Sequence, residues 1–153
     1  MSDYFFDTSA LAKRYLLESG SVWVRKIADD KRHIITVSSI IRVEIASAVA
    51  RRVREGSLPA EASVVLDKQV KIHLRNEYLV VPLVSRVIES AVELLYEHPL
   101  RSYDAVQLAS GLEAHRHAMA ISESSVIFVS ADQRLLEIAE AVGLSVENPN
   151  TYA

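Results

Sequence analysis

Short apolar segments of strand length alternate with segments of helical periodicity along nearly the whole chain. Tyr4–Phe6, His33–Val37, Tyr78–Val81 and Val126–Val129 are the clearest strands, and Leu144–Val146 is a fifth candidate. Each interval between them holds at least one stretch whose apolar residues recur with the period of an amphipathic helix. This alternation predicts an α/β fold, a three-layer α/β/α sandwich whose central sheet is mainly parallel.

The predicted helices begin and end at residues that commonly cap or break helices. Asp7 or Thr8 can cap the first helix, Pro59 suits a first helical turn, and Gly56 and Gly143 each end a helix. The predicted helices are Ser9–Leu17, Val22–Ala28, Ile40–Glu55, Pro59–Leu74, Ser85–Tyr96, Tyr103–His115 and Asp132–Val142. Since the chain has no internal repeat or linker, we expect residues 1–153 to form a single domain.

The composition excludes several kinds of site. The chain has no cysteine, so a disulfide framework, a zinc–thiolate site and a cysteine nucleophile are all impossible. A formal net charge of −3 gives no support to binding nucleic acid through a basic surface, although bound cations can supply a local positive field. The first three residues include an acid rather than a base, and the apolar run behind them is short, so this segment does not resemble a signal peptide. No stretch approaches the roughly 20 apolar residues of a membrane span. We therefore expect a cytoplasmic protein without membrane contact.

Two acids directly follow predicted strands. Asp7 comes after the first strand and Asp132 after the fourth, so both belong at the carboxyl edge of a parallel sheet, where such folds bind ligands. Each of them also begins a predicted helix, and the alternative role for both is therefore that of a helix N-cap.

Two further acids lie on predicted helices. Glu44 flanks the apolar stripe of a long helix, where an unpaired charge would be costly. It needs a partner, which could be a basic side chain such as Arg51 or a metal ion. Asp104 lies in the first turn of its helix, where interaction with the helix dipole is the alternative to a role in a site.

Taken together, these four carboxylates predict a metal site. Carboxylates that approach within a few ångströms repel one another unless cations lie among them, and purely oxygen ligation favours Mg²⁺ or Mn²⁺ over zinc. One or two such ions can activate water and stabilise the leaving oxygen in phosphodiester hydrolysis.

Basic residues offer possible contacts to a phosphate backbone. Lys13 and Arg14 lie on the first predicted helix, and Arg51 lies on the third among three other arginines. They are candidate phosphate contacts beside the acidic site, and the alternative is a solvated or dimer-facing helix edge. The five histidines are scattered, and the chain has neither a Gly-x-Ser-x-Gly elbow nor a glycine-rich phosphate loop.

Other proteins that cluster acids at strand ends fit less well. A haloacid-dehalogenase-type phosphatase needs a second Asp two residues after the first, where this chain has Ser9. A response-regulator receiver needs a lysine at the end of a late strand, and Val129-Ser130-Ala131 supplies none. Two alternatives to a metal-dependent enzyme that hydrolyses RNA remain. One is a structure-specific DNA nuclease, and the other is a catalytically idle RNA- or partner-binding module.

Four segments in order resemble the sequence motifs of PIN domains, particularly those of VapC-type toxins from toxin–antitoxin pairs. They are Phe6–Leu11, Ser39–Ile45, Arg101–Ala109 and Phe128–Leu135, followed by Ala141–Leu144. The segment Glu113–Ser125 is longer and more polar than in the shortest family members, which concerns the rim of the site rather than its acids.

The resemblance implies a Mg²⁺- or Mn²⁺-dependent endoribonuclease that leaves 5′-phosphate and 3′-hydroxyl ends. It also implies a homodimer silenced by a VapB-like antitoxin. The acids that match the metal-binding positions of the family are Asp7, Glu44, Asp104 and Asp132, and the matching supporting positions are Ser9 and Ser130.

Overall fold

Five parallel strands form the centre of the computed structural model, which describes residues 2–153. The strands are β1 (Asp3–Phe6), β2 (Ile34–Ser38), β3 (Leu79–Val81), β4 (Val126–Val129) and β5 (Ser145–Glu147). Their order across the sheet is β3-β2-β1-β4-β5, and each of the four neighbouring pairs is parallel. The α/β class and the parallel sheet predicted from the alternation are therefore confirmed.

Seven α-helices connect and cover these strands within the described residues. They are α1 (Thr8–Tyr15), α2 (Ser21–Asp29), α3 (Ile41–Arg54), α4 (Ala60–Asn76), α5 (Ser85–Glu97), α6 (Ser102–Ser122) and α7 (Gln133–Ala141). A short 3₁₀ helix, Pro149–Tyr152, follows β5. Apart from α6, each of the five strands and seven α-helices begins and ends within two residues of its predicted bounds.

Helix α6 is longer than predicted. The pattern placed its end near His115, but the helix continues to Ser122 and stops at Glu123, whose φ of 54° is left-handed. No Gly or Pro interrupts the segment after His115, so nothing in its backbone chemistry stops the helix there. Most of the polar segment Glu113–Ser125 is therefore a helical extension rather than a loop.

Alternate residues of the strands point into two hydrophobic cores, one on each face of the sheet. Tyr4 and Phe6 of β1 pack with α1 to α4 on one face. Phe5, between them in sequence, packs on the other face with Phe128 and the helices α5 to α7. This is the period-two alternation of a strand that is covered on both sides.

Gly111 allows α6 to lie unusually close to the sheet. A Cβ atom added at this position would come within 2.7 Å of the Phe128 ring and 3.4 Å of Phe5. The two rings themselves stack with centroids 5.4 Å apart. The missing side chain thus fixes the height of the helix above β1 and β4.

No helix formed by residues 2–153 is both long enough and apolar enough to cross a membrane.

Candidate active site

The candidate site lies at the carboxyl edge of the sheet, between β1 and β4. These strands are neighbours, yet β1 continues into α1 on one face and β4 continues into α7 on the other. Open α/β sheets usually bind their ligands at such a point, where neighbouring strands lead to helices on opposite faces. Asp7 follows β1 directly and Ser130 follows β4 directly.

Asp7 is buried, with 4% of its surface exposed, and both of its carboxylate oxygens accept hydrogen bonds. Oδ1 accepts from the backbone N–H of Ala10 at 3.0 Å and from the Ser9 hydroxyl at 2.7 Å. Oδ2 accepts from the Ser130 hydroxyl at 2.6 Å. The carboxylate therefore caps α1, as its alternative role required, and in addition bridges α1 to the end of β4.

Burial raises the pKa of the Asp7 carboxyl to about 6. The hydrogen bonds from Ser130, Ser9 and Ala10 act in the opposite direction, and the negative charge of Asp104 raises the pKa further. Within residues 2–153 no Lys, Arg or His side chain forms an ion pair with Asp7. At neutral pH the protein thus holds a buried negative charge that no cationic side chain compensates.

Ser9 and Ser130 join the two strand ends to each other. Their hydroxyl oxygens are 3.2 Å apart, and Ser130 is fully buried. The Ser9 oxygen accepts from the backbone N–H of Ala131 at 2.9 Å, and the Ser130 oxygen accepts from that of Asp132 at 3.0 Å. Both residues thus contact the Asp7 carboxylate and position the segment that carries Asp132.

Glu44 is half-buried in the first turn of α3 and is held by two polar side chains rather than by Arg51. The Thr8 hydroxyl donates to Glu44 Oε1 at 2.9 Å, and the Gln107 amide Nε2 donates to the same oxygen at 2.8 Å. The same Nε2 donates to the Thr8 oxygen at 3.0 Å. The boundary ion pair considered for Glu44 does not form within residues 2–153.

Thr8 and Gln107 are site residues that the sequence did not single out. A signal was present, because Gln107 lies three residues after Asp104, on the same side of α6, and Thr8 is adjacent to Asp7. Their common partner, Glu44, is 36 residues from Thr8 and 63 from Gln107. The contacts therefore become apparent only once α1, α3 and α6 are packed together.

Asp104 and Asp132 each use one oxygen within the protein. Asp132 caps α7, with Oδ1 accepting from the backbone N–H groups of Arg134 and Leu135 at 3.0 and 3.3 Å. Asp104 Oδ2 accepts from Arg101 Nε at 3.3 Å, and the side chain of this arginine is 85% exposed. The cap role considered for Asp132 is thus present, and the remaining oxygen of each acid makes no hydrogen bond within residues 2–153.

The four acids are brought to one edge of the sheet but not into direct ligating geometry. Across the described part of the chain, no group of three or more His, Asp or Glu side chains is placed to hold a metal ion. The orientations of the carboxylates are set by protein donors: the α7 backbone for Asp132, Arg101 for Asp104, and Thr8 with Gln107 for Glu44.

The residues present nevertheless fit a hard divalent cation. The polar side chains around Asp7 and Glu44 supply hydroxyl, carboxylate and amide groups, which suit Mg²⁺ or Mn²⁺ rather than a softer metal. The buried Asp7 charge also lacks a cationic partner within residues 2–153.

Of the three predicted RNA contacts, two are occupied in ion pairs. Lys13 is 5% exposed and lies 3.2 Å from Glu18. Arg14 lies 3.0 Å from Glu77 and 3.3 Å from Asp29, and it donates to the Tyr78 hydroxyl. Arg51 is exposed, and within residues 2–153 its charge is unpaired.

No protein-family model matches the chain. No curated protein matches it either.

Solved structures do match over almost the full length of the chain. VapC20 from Mycobacterium tuberculosis, described as a toxin that cleaves the sarcin–ricin loop, is 19% identical, with 94% of this chain and 96% of that one covered at a TM-score of 0.62. VapBC2 from Rickettsia felis, bound to a DNA fragment from its promoter, is 15% identical, and the match covers 95% of this chain and 98% of that one at a TM-score of 0.60. A toxin–antitoxin complex from Klebsiella pneumoniae is 15% identical, and the match covers 95% of this chain and 97% of that one at a TM-score of 0.62. The chain therefore has the PIN-domain fold that its four sequence motifs predicted.

Proposed function

We propose that the protein is a metal-dependent endoribonuclease that hydrolyses RNA phosphodiester bonds and serves as the toxin of a toxin–antitoxin pair. The observation that carries the proposal is the buried, uncompensated Asp7 carboxylate at the carboxyl edge of the sheet. Support also comes from the structural neighbours, since VapC20 is described as a toxin that cleaves the sarcin–ricin loop and the K. pneumoniae structure as a toxin–antitoxin complex.

The residues that would hold the divalent cation, Mg²⁺ or Mn²⁺, are Asp7, Glu44, Asp104 and Asp132. When bound, such a cation lowers the pKa of water and stabilises the negative charge that develops on the phosphate. Ser9 and Ser130 fix the orientation of Asp7 through 2.7 and 2.6 Å hydrogen bonds. Asp104 and Asp132 each keep one oxygen that makes no hydrogen bond, and the free oxygen of one of them would orient the attacking water and accept its proton.

The electrostatics of the site explain why RNA binding would depend on the cation. Asp7, Glu44, Asp104 and Asp132 bring negative charge to the place where a phosphate must approach, and like charges repel. Arg51 is the exposed basic residue that we assign to the RNA backbone beside the site. Binding of RNA should therefore be weak in the absence of a divalent cation.

The partners of the protein follow from the same proposal. An antitoxin resembling VapB would bind this chain and cover its acidic edge, and a second copy of the chain would form a homodimer. The neighbours from R. felis and K. pneumoniae were solved as a VapBC assembly and a toxin–antitoxin complex, which supports the antitoxin partner.

The test is RNA cleavage by the purified chain with Mg²⁺ or Mn²⁺, and then with EDTA, beside Asp7→Asn. We expect the variant to lose at least about 100-fold in rate, because a ligand and orienting group is removed while the volume is kept. Asp67→Asn is the matched control, since Asp67 lies in ion pairs with Arg42 and Lys71 on the α3–α4 hairpin and should leave cleavage unchanged.

Cleavage that persists in EDTA, or that is equal in the wild type and Asp7→Asn, would contradict the proposal. Cleavage of DNA but not RNA would indicate the DNA nuclease, and metal binding without cleavage of either would indicate the idle binding module.

A further inference from the structure

Gln107 has the one buried side-chain nitrogen or oxygen atom without a hydrogen-bond partner among residues 2–153. The residue is 2% exposed, and the unpartnered atom is its amide oxygen, Oε1. Its nitrogen, Nε2, makes two hydrogen bonds, one to Glu44 Oε1 at 2.8 Å and one to Thr8 Oγ1 at 3.0 Å. Buried polar groups are nearly always paired, so this exception requires an explanation.

Glu44 explains why the amide does not turn over. If the amide were reversed, its oxygen would lie about where Nε2 lies now, 2.8 Å from a carboxylate oxygen. Two acceptors at that distance repel, while the N–H groups in the observed orientation bind a charged acceptor. The orientation of Gln107 is therefore determined by Glu44, at the expense of an unpaired carbonyl in the interior.

The same contacts make the two oxygens of Glu44 inequivalent. Oε1 accepts from the Thr8 hydroxyl and from the Gln107 amide, whereas Oε2 makes no hydrogen bond within the part of the chain that the structure describes. Thr8 belongs to α1, Glu44 to α3 and Gln107 to α6, so three helices converge on one oxygen. Thr8 follows Asp7, and Gln107 lies one helical turn beyond Asp104.

We propose that Gln107 is a positioning residue for Glu44. Together with Thr8 it occupies Oε1, fixes the plane of the carboxylate, and leaves Oε2 as the oxygen that Glu44 offers to the divalent cation. Groups that orient a metal ligand in this way typically change metal affinity by about 10–100-fold when they are removed. The inference rests on the proposed function, because it assigns Glu44 to a cation.

The test is a double-mutant cycle on Mn²⁺ affinity, measured without RNA from the electron paramagnetic resonance signal of free Mn²⁺. Gln107→Met keeps the length of the side chain and removes both N–H groups, and we expect it to raise the dissociation constant about tenfold. In a Glu44→Gln background the same change should raise it less than about twofold, since Gln107 then has no carboxylate to orient.

Two further variants separate positioning from folding. Thr8→Val removes the second donor and should weaken Mn²⁺ binding in the same way, whereas Thr8→Ser keeps the hydroxyl and should retain the affinity. Ser110→Ala is the matched control, because Ser110 is fully buried on α6 but donates only to the Val106 carbonyl of its own helix. Each variant should keep a cooperative unfolding transition, and Thr8→Val still tests the arrangement if Gln107→Met does not fold.

The inference would be overturned if the wild type and Gln107→Met bound Mn²⁺ equally well, or if Gln107→Met weakened binding equally in the wild-type and Glu44→Gln backgrounds. Neither result would contradict the proposed nuclease function. If the wild type binds Mn²⁺ but cleaves no RNA, the proposed function fails and the cycle still decides the role of Gln107. If the wild type binds no Mn²⁺, both fail together.

Discussion

At the scale of single residues, the site is defined by which charges are buried and what they contact. Asp7 could be singled out as a candidate site residue from the sequence, because a carboxylate that directly follows an apolar strand is visible in a few neighbouring residues. Lys13 and Arg14 looked like free cations in the sequence, but both side chains are buried in ion pairs. Burial and pairing depend on residues such as Glu77, more than 60 positions away, which local patterns do not reveal.

The charge of Asp7 makes the stability of the metal-free protein depend on pH. Its pKa of about 6 in the folded state lies above the ordinary value of 3.8, so the fold favours the protonated form. Asp7 therefore does not reduce the free energy of unfolding below pH 3.8. The free energy of unfolding falls as the pH rises from 3.8 through 6, because only the unfolded state then ionises freely. A difference of about two pKa units corresponds to about 3 kcal/mol.

We therefore expect Asp7→Asn to be more stable than the wild type by about 2–3 kcal/mol at pH 8 in EDTA, and the two to converge near pH 4. Urea unfolding at both pH values measures this difference. Asp67→Asn should not stabilise the protein at pH 8, because its hydrogen bond to Lys71 lowers the pKa of Asp67. An equal gain at both pH values would show that the charge of Asp7 is not its cause.

At the scale of elements, helix α6 organises the site. Asp104 and Gln107 lie in its first two turns, and Gly111 in the next turn sets how closely it approaches β4. The length of α6 could not be read from its apolar periodicity, because its last turns are exposed and carry no regular stripe. The close approach of α6 to β4 could not be predicted either, since a glycine within a helix ordinarily indicates a less stable helix rather than a close contact with a neighbouring strand.

Gly111→Ala provides a test in which two effects have opposite signs. In an exposed helix this change stabilises by about 1 kcal/mol, through backbone entropy. Here the new methyl group would meet the Phe128 ring at 2.7 Å, so we expect a net loss of about 1–3 kcal/mol. Thermal and urea unfolding give the sign directly, and a stabilised variant would show that α6 and β4 have room between them.

At the scale of the whole molecule, the sequence predicted the architecture well because alternating strands and helices admit few arrangements. What it did not predict is how apolar surface is distributed over the outside. On α5, Ile88, Val92, Leu95 and Tyr96 remain exposed with helical spacing, and Tyr96 is 90% exposed. Exposed apolar stripes of this kind commonly mark association surfaces.

We expect α5 to contribute to the proposed homodimer. Replacing Ile88 and Tyr96 together with lysine should shift the protein toward the monomer in sedimentation velocity, because buried, unpaired ammonium groups oppose association. Val22→Lys is the matched control: Val22 is 77% exposed, but it lies on α2, on the opposite face of the sheet. A wild type that stays monomeric, or a double variant that stays dimeric, would exclude α5 from such an interface.

The pairing of β1 with β4 also has a consequence for biosynthesis. β1 ends at residue 6, but its neighbour β4 begins at residue 126, and the hydroxyl group that donates to Asp7 Oδ2 belongs to residue 130. Contacts of such wide sequence separation form late in folding. A growing polypeptide therefore lacks the complete acidic edge until most of it has left the ribosome, so the proposed nuclease would stay inactive while it is being translated.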